Sequence, residues 1–169
     1  MKKIIFGLLF IGLTIQSFAQ IIVALPEIEI TATNYKYLSK AGFENAALPV
    51  ETLERKVAAF DLESADFYSD EYDTYEVSFY LPQGYILATY DKDGNVMRTA
   101  EKFEDIKLPR AVIESVAKTY PNWAFTKDLY KVSYYDRGDS SKITKKYKIT
   151  LENNNQKIKV KVDEEGNFL

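Results

Sequence analysis

The sequence contains neither cysteine nor histidine. Without cysteine there is no disulfide, no thiolate zinc site, no thiol nucleophile and no lipid attached at a cleavage-site cysteine. Without histidine the commonest general base and the commonest metal ligand are both missing, and serine, cysteine and zinc hydrolase mechanisms of the usual kind go with them. Positive charge is in deficit, with 22 Lys and Arg against 25 Asp and Glu, which disfavours bulk nucleic-acid binding. No catalytic residue, metal ligand set or cofactor motif is indicated, and the expectation is a non-enzymatic chain.

Long apolar runs are equally scarce. The one present is in MKKIIFGLLFIGLTIQSFAQ, where Lys2 and Lys3 precede an apolar stretch from Ile4 to Ile15 and Ser17-Phe18-Ala19 follows it. That pattern reads as a secretory signal peptide over 1–19, cleaved after Ala19. The run is too short for a permanent anchor, since a spanning helix needs roughly 20 apolar residues. A periplasmic or secreted product is expected, with no stable membrane span after cleavage and a net charge that moves from −3 to −5 once Lys2 and Lys3 are removed.

What the chain does have is an internal duplication. Residues 75–96, YEVSFYLPQGYILATYDKDGNV, align without a gap on 147–168, YKITLENNNQKIKVKVDEEGNF, at an offset of 72. Tyr75 and Tyr147, Asp91 and Asp163, Gly94 and Gly166, and Asn95 and Asn167 coincide. Both stretches read as strand hairpins followed by a second turn. Upstream of each, a Leu-Pro opens an apolar-periodic segment, LPVETLERKVAAF at 48–60 and LPRAVIESVAKTY at 108–120. Proline is tolerated at a helix start, where the first amides have no partner. Leu53, Val57 and Phe60 form the expected core stripe of the first helix, and Ile113, Val116, Ala117 and Tyr120 that of the second. An extra strand is expected at Tyr130, Val132 and Tyr134, ending at Gly138. A further strand is expected over Asn95–Phe103, and FEDIK at 103–107 reads as the linker between units.

The segment Asp91-Lys92-Asp93-Gly94-Asn95 invites comparison with a calcium loop. Such a loop needs oxygens at positions 1, 3 and 5, glycine at 6 and a bidentate glutamate at 12. Here glycine is fourth and the flanks are strand-like, so the segment reads as a type I turn with a bulge, the glycine supplying a positive φ and the aspartate bonding the turn amides.

The Asp91-x-x-Gly94 turn, the Leu108-Pro109 helix start with Ile113 and Val116, Tyr120-Pro121, and Tyr147 through Gly166 together resemble the secreted PepSY-like family of Bacteroidota. The match is good over roughly 85–169 and weaker over 48–84. The resemblance implies a fold similar to β-lactamase inhibitory protein, built of repeated helix-plus-sheet units. It also implies a module that binds, and in some cases inhibits, another protein. It supplies no ligand residues to carry over.

The fold expected is therefore α+β. The chain divides into a signal peptide (1–19), an extended N-terminal segment (20–47), a first helix-plus-antiparallel-sheet unit (48–107) and a second (108–169). Within 20–47, Ile28, Ile30 and Ala32 alternate like a first strand.

The offset also assigns strand faces. Ile158, Val160 and Val162 point inward and Lys157, Lys159 and Lys161 outward. Translated back, Ile86, Ala88 and Tyr90 are inward, while Tyr80, Tyr85, Leu87 and Thr89 form an outward face. Tyrosine offers much contact area at low entropic cost, so Tyr80, Tyr85 and Leu87 are candidate partner-binding residues, with the outward Tyr135 as a further one. The alternative is that another part of the chain covers this face. Residues 61–76 carry seven acids and no base, and 142–161 carry seven lysines and one acid. These stretches read as solvated edges that keep strands from pairing between molecules, or as ends that attract a basic partner or face each other. The partner expected is an unknown protein in the envelope or outside the cell, and not nucleic acid. An envelope structural or chaperone-like subunit and a carboxylate-only hydrolase are the alternatives.

Overall fold

The computed structural model describes residues 34–42 and 45–169. The signal peptide, its cleavage point and the strand expected at Ile28–Ala32 lie outside the described residues. Helix α1 (Tyr35–Ala41) and helix α2 (Leu48–Ala58) precede strands β1 (Thr74–Leu81), β2 (Gly84–Asp91) and β3 (Val96–Glu104). Helix α3 (Arg110–Thr119) then leads into β4 (Ala124–Asp136), β5 (Ser141–Asn153) and β6 (Gln156–Val162). All six strands form one antiparallel sheet in chain order.

Alternation builds this sheet. Ile86, Ala88 and Tyr90 on β2 are fully buried while the residues between them are not, and Tyr130, Val132 and Tyr134 repeat the pattern on β4. Side chains of successive residues point to opposite faces, so these form the inner face that the helices cover. Helix α2 lays Val50, Leu53 and Val57, all fully buried, on β1 to β3. Helix α1 packs beside it and sends Tyr37 down to β3 and β4, where its ring meets Tyr134 edge-on at 5.2 Å. Asn34 fastens this corner: its side chain donates to the Ala58 and Gly94 carbonyls and accepts from the Val96 amide at 2.8 Å.

Four expectations need correction. The two units do not own separate sheets: β3 and β4 pair from Arg98 with Tyr135 to Glu104 with Leu129, joining both halves into one sheet. The 20–47 segment is not extended over its described part, because Tyr35–Ala41 is helical and is closed by Gly42 at φ 67°. FEDIK is not wholly linker, since β3 runs to Glu104 and Phe103 is fully buried. Most consequential, Ile113 is 43% exposed, while Val112 and Val116 are fully buried. Pro109 is the N-cap of α3, and the helix rests its narrow Val112/Val116 stripe on the protein, leaving Ala117 in solvent as well. Its other contact is polar, the Ser115 hydroxyl donating to the Gly166 carbonyl at 2.7 Å.

The two glycine turns carry the same bonds. The Asp91 amide donates to the Asn95 carbonyl at 2.9 Å and the Asp163 amide to that of Asn167 at 3.0 Å. Asp91 Oδ1 accepts from the Asp93 and Asn95 amides, and Asp163 Oδ1 from those of Glu165 and Asn167. Gly94 and Gly166 have φ of 77° and 87°. The carboxylates therefore serve the turns. The Val162–Phe168 bridge lies at the same offset as the Tyr90–Val96 pair.

Candidate binding face

The sheet has one face under the helices and one that no described helix covers. Strand register arranges the uncovered face in rows that cross the strands. One row runs Tyr80, Tyr85, Lys102, Lys131, Lys146 from β1 to β5. The next runs Ser78, Leu87, Ala100, Ser133, Thr144, and the one after it passes through Thr89, Arg98, Tyr135 and Lys142.

This register brings three of the four predicted residues together. Tyr80 and Tyr85 are directly paired, their ring centroids 6.0 Å apart, and they are 69% and 39% exposed. Leu87 is half-buried and follows Tyr85 by two residues on the same face. Tyr135 is exposed, but two strands away, with Arg98 between it and Thr89. Its ring lies 5.3 Å under the Arg137 guanidinium, a cation–π contact that presents one ring face. The acidic segment 61–76 leads into β1 and the lysine-rich stretch is the β5–β6 hairpin, so these lie at opposite edges of the sheet and do not face each other in one molecule. The acidic segment is held by aromatic contacts: Tyr75 donates its hydroxyl to the Ser69 carbonyl and its ring lies near those of Phe67, Tyr68 and Tyr72.

Beneath the sheet lies a polar cluster that sequence reasoning missed. Glu54 and Glu101 are buried in the core. Glu101 Oε1 accepts from the Tyr37 hydroxyl at 3.0 Å and from the Thr99 hydroxyl at 2.7 Å, while its Oε2 and both Glu54 oxygens have no hydrogen-bond partner among the described residues. Burial, with the Glu101 charge second, pushes the Glu54 carboxyl up to about 9. Burial raises Glu101 to about 7 against the opposing pull of the Thr99 and Tyr37 hydrogen bonds. Helical spacing held the signal for Glu54, which sits four residues after Val50 and beside Leu53 on the apolar stripe. The second missed feature is the file of lysines across β3, β4 and β5, which strand pairing assembles from distant positions and sequence alone does not.

No protein-family model matches the chain, and no curated protein matches it. The PepSY-like likeness of the turns and helix starts thus remains a resemblance. Among solved structures the chain is similar to one described as a BLIP-like protein from Bacteroides fragilis, at 18% identity and a TM-score of 0.29, covering 57% of this chain and 73% of that one. A likeness at that level carries no inference about what this chain binds. Among the described residues, no helix is long and apolar enough to cross a membrane.

Proposed function

We propose that the chain is an exported, non-enzymatic protein-binding module of the cell envelope, whose partner docks on the helix-free face of the sheet through Tyr80, Tyr85 and Leu87, with Tyr135 as an outlying contact. The observation that carries this reading is the exposed Tyr80–Tyr85 pair: two large rings side by side on a sheet face are costly to leave in water and favourable to bury in a partner. The shared backbone bonding of the two glycine turns supports the further reading that the halves arose as two tandem helix-plus-sheet units. The buried carboxylates give no support to the hydrolase alternative, because Glu54 and Glu101 are 0% and 3% exposed and no substrate reaches them.

The test is the triple replacement Tyr80→Glu, Tyr85→Lys, Leu87→Lys, which installs the residues found 72 positions later. Cross-linking in the native envelope should capture a defined partner with the wild-type protein and lose it with the folded triple variant. Undiminished capture of the same partner by the variant removes the site assignment.

A further inference from the structure

The helix-free face is far more basic than the chain. Lys102, Lys131 and Lys146 stand directly opposite one another on three adjacent strands. Opposed residues on neighbouring strands are only about 5 Å apart, and like charges so placed repel. Lys102 is relieved by Glu104 at 2.7 Å, whereas Lys131 and Lys146 have no carboxylate partner among the described residues. The neighbouring row is small, with Ala100, Ser133 and Thr144 flooring a depression of about 330 Å³ that also reaches Tyr85. Beyond the small row, register places Arg98, Tyr135 and Lys142 side by side on β3, β4 and β5. The two flanking rows, lysines on one side and Arg98, Tyr135 and Lys142 on the other, are about 13 Å apart, four residues along a strand at about 3.3 Å each. Crossing from β2 to β5 takes about 14 Å, the reach of four to five extended residues.

We propose that this trough takes an extended acidic segment of a protein, its carboxylates meeting Lys131 and Lys146 and its backbone crossing the Ala100–Ser133–Thr144 floor. The proposal rests on the docking-face reading above and supplies the chemistry of that partner. Charge complementarity selects the occupant. A short acidic segment meets only the local positive field, whereas a polyphosphate extending beyond the trough meets a molecule whose net charge is negative, −3 for the whole sequence and −5 without Lys2 and Lys3. The Leu87 and Tyr85 end gives the segment an apolar and aromatic contact as well.

Capped hexaglutamate is the probe, titrated into isotopically labelled protein and followed by amide shifts. Perturbations should centre on Ala100, Ser133 and Thr144 and shrink as salt screens the trough. Lys131→Glu should weaken binding at least tenfold. It should also melt no lower than wild type, because it converts two repulsive cross-strand pairs into attractive ones. That combination of retained stability and lost binding is one that general disruption of the fold does not produce. Equal binding by Lys131→Glu overturns the proposal, as do perturbations centred on Lys157, Lys159 and Lys161. Tighter binding of a hexathymidylate or of phosphatidylglycerol vesicles transfers the trough to another class of ligand and also overturns it. If hexaglutamate fails while the triple tyrosine-face variant still abolishes partner capture, the docking face stands and only the acidic class of partner falls.

Discussion

Helix α2 and helix α3 follow the same Leu-Pro start, and equivalent positions in them meet opposite environments. Leu53 is fully buried and its counterpart sixty residues on, Ile113, is 43% exposed. Glu54 is buried without a hydrogen bond among the described residues, whereas its counterpart Glu114 is exposed and paired with Arg110 at 2.6 Å. The shared Leu-Pro does not fix where the helix begins, since α2 includes Leu48 and Pro49 whereas Pro109 is the N-cap of α3, nor which stripe the helix buries. That choice belongs to the neighbours: α2 lies over β1 to β3 with α1 at its side, while α3 bonds the 163–167 turn through Ser115 and buries Val112 and Val116.

The largest consequence falls on the helix cores. Leu53→Ala should cost about 2–5 kcal/mol, and Ile113→Ala well under about 1 kcal/mol, in chemical denaturation. Equal losses would restore a common core role and undo the difference between the helices. The strands offer the next contrast. Gly84 faces β3, where an added Cβ collides with the Lys102 carbonyl oxygen and stands 2.7 Å from Phe103 Cδ1. Its counterpart Gln156 lies on β6, whose outer side carries no further strand among the described residues. Gly84→Ala should cost about 3 kcal/mol and Gln156→Ala almost nothing. The turns come third. Both glycines pay the same penalty for positive φ, about 1 kcal/mol when replaced by alanine. A Cβ at Gly166 also lies 2.7 Å from the Ala111 carbonyl oxygen, where Gly94 has only Leu62 Cβ at 3.9 Å. Thermal melts should therefore rank Gly166→Ala as clearly worse than Gly94→Ala, and a calcium titration should leave both melting temperatures unmoved.

These contrasts show what the sequence made legible. The α+β class, the alternating faces of β2, β4 and β6, and the bonding role of Asp91 and Asp163 are local properties, written in period-two patterns and in turn chemistry. So was the outward placement of Tyr80 and Tyr85. The single sheet was not legible, because the β3–β4 pairing spans the whole α3 connection and leaves no short-range mark. The Val112/Val116 stripe was missed because both it and the Ile113/Val116/Ala117/Tyr120 set satisfy a helical spacing, and only contact decides. Glu54 was not singled out, although its position lay on the apolar stripe.

Acidity sharpens the helix comparison further. Glu54 binds its proton more tightly in the folded state, with a carboxyl pushed from its ordinary 4.5 up to about 9, chiefly by burial. Its contribution to stability is thus fully present below about pH 4.5 and is lost as pH rises toward 9. The limiting slope for one such group is about 1.4 kcal/mol per pH unit, and coupling to Glu101 spreads it. Denaturation measured from pH 5 to 9 should show this decline in the wild type. Glu54→Gln should flatten it, and Glu114→Gln should leave it in place.

The smallest expected change in stability tests the binding face itself. Tyr80 pairs with Tyr85 across β1 and β2, and 72 residues later Glu152 pairs with Lys157 across β5 and β6 in the same register. The second pair is an ion pair at 3.5 Å. Moving Glu and Lys into positions 80 and 85 therefore exchanges one cross-strand attraction for another on the same kind of backbone, and removes rings that are 69% and 39% exposed. Exposed pairs of this sort are worth well under about 1 kcal/mol. Leu87→Lys keeps its aliphatic stem along Ala100 while the ammonium reaches water. The triple variant should accordingly melt within a few degrees of wild type. A collapse of its stability would mean that the tyrosines are buried by another part of the chain, making the face an internal contact and not a docking surface. Retained stability leaves the tyrosines with no structural task, and any loss of partner capture then reports on binding alone.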